Sequence, residues 1–260
     1  MQNAALAELG LGETWSYEAI EVEPEGFEQL VRSLPGAGFA GVNVTLPHKE
    51  AALALADRAS AAATAIGAAN TLSFGGGEVA AENTDAPALI EALARPAAGV
   101  RALVMGAGGS ARACAWALRE AGAEVAIWNR TAARGRALAA ELGVADAGSA
   151  DIEAGDYELL VNATTVGLAE ANAESPPAAG DRNLKGLPLD ADAVGERHVV
   201  VDLVYGPHAT PLAAGAQSRG AQVVDGLEIL VRQGAASLRI WTGAEPPVEV
   251  MRRAARENQS

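Results

Sequence analysis

The sequence predicts an α/β protein of two domains. Short β-branched runs alternate with longer alanine-rich stretches of helical spacing, the pattern of βαβ units and mainly parallel sheets. One such run, Ala102-Leu103-Val104-Met105, passes through glycines directly into a helical stretch, as a nucleotide-binding unit does. Just before it, Arg95-Pro96-Ala97-Ala98-Gly99 breaks the pattern and marks where that unit starts. The chain has 260 residues, 50% of them hydrophobic, which suffices to bury two modest cores and excludes disorder as its main description.

From the N-terminus, residues 3–12 are alanine-rich and read as a helix that stops at Gly10 and Gly12. Strands are expected at residues 17–22, 41–45, 69–74, 102–105, 124–128, 159–162, 199–203 and 222–224. Pro24 opens a helical stretch, and Pro47 and Pro87 suit the first turns of two more. Gly75-Gly76-Gly77 between two strand-like runs reads as a hairpin turn. Residues 169–192, rich in Pro, Gly, Ala and Asp, read as a long exposed loop. Residues 227–241 are amphipathic and read as a helix packed on a core.

Composition excludes several classes of function. Nineteen Lys and Arg against 33 Asp and Glu leave a formal net charge of -14, which repels a polyphosphate backbone, so no nucleic acid is expected as partner. The single cysteine, Cys114, can form neither an internal disulfide nor a zinc site and points to a reducing compartment. No apolar run is long enough for a membrane span, and Met1-Gln2-Asn3-Ala4 lacks the basic start of a signal peptide, so a cytoplasmic protein is expected. His48, His198 and His208 show no metal-ligand spacing and are expected to pack or be solvated, with no metal. Cys114, Met105 and Trp116 read as core.

The strongest local signal is Gly106-Ala107-Gly108-Gly109-Ser110-Ala111 after the 102–105 strand. Gly106 permits a tight turn, Gly108 lets the backbone approach a pyrophosphate, Ala111 takes the small position where helix meets strand, and the helix N-terminus offers N–H groups to an anion. The alternative is a structural glycine turn. The next strand ends at Asn129-Arg130-Thr131, followed by Arg134. A carboxylate there would bind the ribose of NAD, whereas Arg130 and Arg134 together suit a 2′-phosphate and so NADP. The alternative is two arginines solvating a helix face. In the first third, Asn43-Val44-Thr45-Leu46-Pro47-His48-Lys49, Asn70-Thr71 and Asn83-Thr84-Asp85 follow short apolar runs. Their amide, hydroxyl, ammonium and carboxylate groups suit a small polyhydroxylated substrate, or are simply turn residues.

Taken together, Asn43-Val-Thr45-x-Pro-x-Lys49, Gly67-Ala-x-Asn70-Thr, Asn83-Thr-Asp85, Gly106-Ala-Gly-Gly, Asn129-Arg-Thr, Asn162-Ala-Thr-Thr-x-Gly167, Asp202-x-x-Tyr205-x-Pro and Gly226-Leu-x-x-Leu-x-x-Gln233 resemble, in this order, the motifs of shikimate dehydrogenases. The resemblance implies an N-terminal substrate-binding and catalytic domain (residues 1–84 with 226–260), an NADP-binding Rossmann domain (85–225), and C-terminal helices that return to the first. It implies reversible NADPH-dependent reduction of 3-dehydroshikimate to shikimate, on the route to chorismate and aromatic amino acids. Lys49 and Asp85 match the catalytic pair, and Thr45, Asn70, Asp85, Tyr205 and Gln233 match substrate contacts. Gly106, Ala107, Gly108, Gly109, Ser110, Asn129, Arg130, Thr131, Arg134, Leu203 and Gly226 match the NADP site. The implied partners are small molecules alone, with the chain a monomer or homodimer.

The family pattern opens with a strand ending in Gly-x-Pro and a Ser-x-Ser segment whose hydroxyls bind the substrate carboxylate. Residues 1–16 supply neither, so the resemblance implies about 20 residues upstream and an internal methionine at Met1. The remaining alternatives are a quinate/shikimate or aminoshikimate dehydrogenase and a shortened, non-catalytic NADP-binding relative.

Overall fold

A computed structural model describes residues 1–175 and 184–257. The described chain divides into two compact units, one made of Met1–Ala88 with the chain from Leu230 to Glu257, the other of Leu89–Ile229.

The first unit holds a sheet of β1 (Gly41–Asn43), β2 (Arg58–Ala59), β3 (Thr71–Gly75) and β4 (Glu78–Glu82), in the order β1-β3-β4-β2. β3 and β4 form an antiparallel hairpin, β1 pairs antiparallel to β3, and β2 runs parallel to β4. The sheet is therefore mixed, where a mainly parallel one was expected. The hairpin turns at Gly76 and Gly77, whose φ values of 62° and 83° favour residues without a Cβ. The helices α1 (Gln2–Glu8), α2 (Phe27–Ser33), α3 (Lys49–Ala54), α4 (Ala61–Ile66) and α5 (Asp85–Leu93) accompany it. Ser60 caps α4 by accepting the Ala63 N–H at 3.1 Å. Phe27, Val31, Val44, Ala52, Leu72 and Val79 form the core against this sheet.

The second unit is a six-stranded, fully parallel sheet of β5 (Arg101–Met105), β6 (Glu124–Trp128), β7 (Ala145–Gly148), β8 (Leu159–Asn162), β9 (Val199–Asp202) and β10 (Gln222–Asp225), in the order β10-β9-β8-β5-β6-β7. This is the doubly wound order, with its switch point between β5 and β8. The helices α6 (Gly109–Glu120), α7 (Ala132–Leu142), α8 (Leu168–Ala171) and α9 (Pro211–Ser218) connect its strands. Leu103, Met105, Leu160, Val200 and Trp128 are buried within it. Register pairs Met105 with Asn162, Asn162 with Asp202 and Asp202 with Asp225, so the carboxyl ends of four strands finish level. The chain then enters α10 (Gly226–Thr242) and α11 (Val248–Glu257), and α11 packs on α1.

Several further expectations need correction. Residues 17–22 are extended but belong to no strand ladder among the described residues, and the Asn3 side chain clamps both Tyr17 backbone groups, at 2.7 and 2.8 Å. Pro47 sits in a turn ahead of α3 rather than inside its first turn, with the Leu46–Pro47 bond cis. Residues 169–192 are not simply an exposed loop, because Leu184, Leu187 and Leu189 pack into the Rossmann core and α8 occupies part of the stretch; its residues 176–183 lie outside the described residues. Trp116 is only half-buried, whereas Met105 and Cys114 are buried. His48 and His198 are also buried: His48 stacks on Phe27 at 4.5 Å and contacts the Val22 carbonyl through Nε2 at 3.0 Å, and His198 contacts the Ala154 carbonyl at 3.2 Å.

Gly41 shows how tightly the first unit is packed. A Cβ there would run into the Leu72 carbonyl and the Trp241 indole nitrogen, whose N–H donates to that same carbonyl at 3.0 Å. The carbonyl belongs to β3 and cannot swing aside. Gly41→Ala is expected to destabilise the first unit by about 2 kcal/mol, read in calorimetry as a lower Tm for its transition.

Candidate active site

In the first unit the sequence-predicted residues converge on one ion pair. Lys49 opens α3 and Asp85 opens α5, and their Nζ and Oδ2 lie 2.6 Å apart with side chains only 10% and 12% exposed. A carboxylate in the first turn of α5 is favoured by the positive end of the helix dipole. Asn70, buried where the chain enters β3, donates from Nδ2 to Asp85 Oδ1 at 2.9 Å, to Thr84 Oγ1 at 3.0 Å and to Gln233 Oε1 at 3.2 Å. Its Oδ1 accepts the Thr84 N–H at 2.7 Å. One amide therefore fixes the carboxylate of Asp85 and the side chain of Gln233 on α10.

Beneath this pair lies a polar cluster whose members the sequence did not single out by role. Ser237 is fully buried on α10, one turn beyond Gln233. Its hydroxyl donates to the Gln233 carbonyl at 2.9 Å, accepts from Asn43 Nδ2 at 2.8 Å and lies 2.8 Å from Thr71 Oγ1. Thr71 in turn lies 3.3 Å from Thr84 Oγ1. Buried hydroxyls and amides satisfied this completely rigidify the groups they hold. The signal available in the sequence was the i, i+4 spacing of Gln233 and Ser237 on one helix face. Thr45 lies apart from the cluster, exposed in the turn after β1.

In the second unit β5 runs through Gly106 into α6 as the glycine spacing predicts. Gly106 has φ 124°, and a Cβ on it would stand 2.7 Å from the Ala163 carbonyl. Gly108 is the residue before α6, and nothing lies within 4 Å of where its Cβ would be, so the backbone there is open to close approach. Asn129 follows β6 and donates to the Thr131 carbonyl at 2.9 Å, while Arg130, Thr131 and Arg134 are exposed at the start of α7. Arg112 on α6 grips Glu141 on α7 with two bonds of 2.7 and 2.8 Å, and that guanidinium holds the Glu141 carboxyl below its usual range. A helix N-terminus, an open glycine backbone and two exposed guanidiniums fit a dinucleotide bearing an extra phosphate.

The residues after β9 form a further arrangement. Leu203 is half-buried, Tyr205 is exposed, and Gly226 packs so closely that a Cβ would stand 2.6 Å from the Leu203 carbonyl. Asp202 is buried at the end of β9 and accepts three hydrogen bonds: from Asn162 Nδ2 at 2.9 Å, from the Val204 N–H at 3.1 Å and from Thr210 Oγ1 at 2.5 Å. Burial outweighs those bonds and pushes its carboxyl up to about 6. The folded protein thus holds this proton more tightly than the unfolded chain does. The stability gained by holding it is complete below the ordinary carboxylate range and is lost as pH rises through about 6. Relative to Asp202→Asn, which is neutral throughout, the parent is expected to lose about 2 kcal/mol between pH 4.5 and 7.5. Paired thermal melts at the two pH values check this, and a pH-independent difference would contradict it.

Comparison with known proteins identifies the family. Family models described as the shikimate dehydrogenase substrate binding domain, shikimate / quinate 5-dehydrogenase and the shikimate 5'-dehydrogenase C-terminal domain match residues 1–72, 89–167 and 226–256. The chain is 40% identical to the shikimate dehydrogenase (NADP(+)) of Methanopyrus kandleri over 99% of its own length and 90% of that protein. It is 45% identical to that of one Thermus thermophilus strain, covering 98% of this chain and 91% of the relative. The solved shikimate 5-dehydrogenase of a second Thermus thermophilus strain, in complex with NADP(H) and shikimate, superposes with a TM-score of 0.85 at 42% identity, covering 98% of this chain and 92% of that one. In this protein the α/β fold, the glycine turn and the Lys49–Asp85 cluster accompany near-full-length likeness, and the chain belongs to the shikimate dehydrogenase family.

Proposed function

We propose that this protein reduces 3-dehydroshikimate to shikimate, reversibly and with NADPH, on the route to chorismate and the aromatic amino acids. The observation that carries the reading is the Lys49–Asp85 pair, 2.6 Å long and locked by Asn70, in a chain whose relatives are named NADP-dependent shikimate dehydrogenases. NADPH, when bound, supplies the hydride that reduces the ketone carbon. The oxygen left behind needs a proton, and the Lys49 ammonium is the group proposed to donate it. Asp85 fixes that ammonium in place, and Asn70 fixes Asp85. Gln233, tied to Asn70 at 3.2 Å, and Thr45 are proposed to meet the ring hydroxyls, with Tyr205 as a further substrate contact. Removing either member of a pair this buried also leaves the other charge without its partner.

The NADP site is proposed at residues 106–110, at Asn129, Arg130, Thr131 and Arg134, and at Leu203 and Gly226. Arg130 follows β6 and Arg134 lies in the first turn of α7, both exposed. There they suit a 2′-phosphate, and no carboxylate stands in the Asn129-Arg130-Thr131 run to hold an unphosphorylated ribose. Residues 1–84, with those from Gly226 onward, are proposed as the substrate-binding and catalytic part. A cytoplasmic enzyme working as a monomer or homodimer belongs to the same proposal; no helix among the described residues is long and apolar enough to cross a membrane.

Lys49→Ala is expected to lower kcat by about a thousandfold while KM for shikimate changes far less, and near wild-type turnover would rule out its role as proton donor. Replacing Arg130 and Arg134 together with alanine is expected to raise KM for NADP+ by about tenfold or more and leave KM for NAD+ in place. Steady-state kinetics with both cofactors reads the difference.

A further inference from the structure

The segment 203–209 carries Leu203 and Tyr205, and both of its ends hang on one carboxylate. At its start the Val204 N–H donates to Asp202 Oδ1 at 3.1 Å, and at its end Thr210 Oγ1 donates to Asp202 Oδ2 at 2.5 Å. Thr210 also caps α9 by accepting the Ala213 N–H at 3.0 Å. Through Asn162 the same carboxylate reaches the loop after β8. Asn162 donates to Asp202 Oδ1 at 2.9 Å and to the Val166 carbonyl at 3.1 Å, and accepts from Thr164 Oγ1 at 2.7 Å. That loop also meets the glycine turn, since the Ala163 carbonyl lies 2.7 Å from where a Cβ on Gly106 would stand and the Ala163 N–H donates to the Met105 carbonyl at 2.9 Å.

The sheet itself does not need this carboxylate, because β8, β9 and β10 are closed by their own ladders. From β10 its register partner is Asp225, whose side chain is engaged in capping the Glu228 N–H at 2.8 Å. An ionised carboxylate can accept from several donors at once while donating nothing. Its hydrogen-bonded neighbours supply three donors: one amide side chain, one backbone N–H and one hydroxyl.

We infer that Asp202 is a positioning residue, holding the 203–209 segment so that Leu203 and Tyr205 are presented to cofactor and substrate. This rests on the proposed roles of those two residues. Asp202→Ala is expected to raise both KM for shikimate and Kd for NADP+ about tenfold, with kcat falling less than about threefold. The Kd is read from intrinsic tryptophan fluorescence, independently of turnover. Asp202→Asn, which keeps an oxygen for Val204 and Asn162, is expected to recover most of the loss. In a Tyr205→Ala background Asp202→Ala is expected to add little to the KM, because the group it positions is gone. A purely structural role would lower the yield of folded protein and leave KM and Kd unchanged, and that result overturns the inference. So does an undiminished effect in the Tyr205→Ala background. If Asp202→Ala does not fold, Thr210→Val cuts only the far anchor and must raise KM and Kd in the same direction, with unchanged values overturning the inference. A parent protein that binds NADP+ but does not oxidise shikimate overturns the proposed function instead, and the Kd for NADP+ still reads the segment.

Discussion

Asn70 is the point on which the first unit's chemistry turns. Its amide is buried, so each of its polar atoms must find a partner inside the protein. Those partners come from three places in the sequence: Thr71 next to it, Thr84 and Asp85 at the start of α5, and Gln233 on α10. The ion pair of Lys49 and Asp85 would be unfavourable to bury without such support, since two charges taken from water need good geometry and further hydrogen bonds to compensate. With Asn70 in place the carboxylate has a fixed orientation and the ammonium a fixed neighbour. The chemistry proposed for Lys49 depends on that fixity more than on the lysine alone.

The second unit solves a different problem with backbone instead of side chains. Its parallel strands end level, and the chain must leave each of them in a turn tight enough to keep the carboxyl edge open. Gly106 does this for β5 with a left-handed φ that other residues resist. After β8 and β9 the turns are held by Asn162 and Asp202, side chains that substitute for missing backbone partners. The carboxylate is kept although burial works against its charge, so local stability is given up for the order of the loops around it.

The Rossmann unit was legible because its signals are local. A strand, a glycine turn and a helix lie within about a dozen residues of one another, and each residue type answers a backbone requirement at its own position. The first unit was legible in its motifs but not in how they meet. Asn70 and Gln233 stand 163 positions apart, and nothing in either neighbourhood says that they touch. Ser237 reads as an ordinary polar helix residue, yet it is fully buried. Residues 17–22 alternate like a strand, but a strand needs a neighbour to pair with, and here the Asn3 side chain takes the backbone groups of Tyr17 instead. β7 failed in the opposite direction: Ala-Asp-Ala-Gly has little strand preference and is a strand only because β6 offers it an edge. Asp202 falls inside the expected strand 199–203, and nothing in that run marks its burial, which comes from Thr210 and Asn162 folding over it.

The most direct measurement is the oxidation of shikimate by the purified protein, followed by the absorbance of NADPH, with NADP+ and NAD+ and with shikimate and quinate in parallel. Turnover that requires NADP+ and shikimate together, with kcat/KM well above that of the other three combinations, is the predicted result. NADP+ binding without any turnover of shikimate would contradict it.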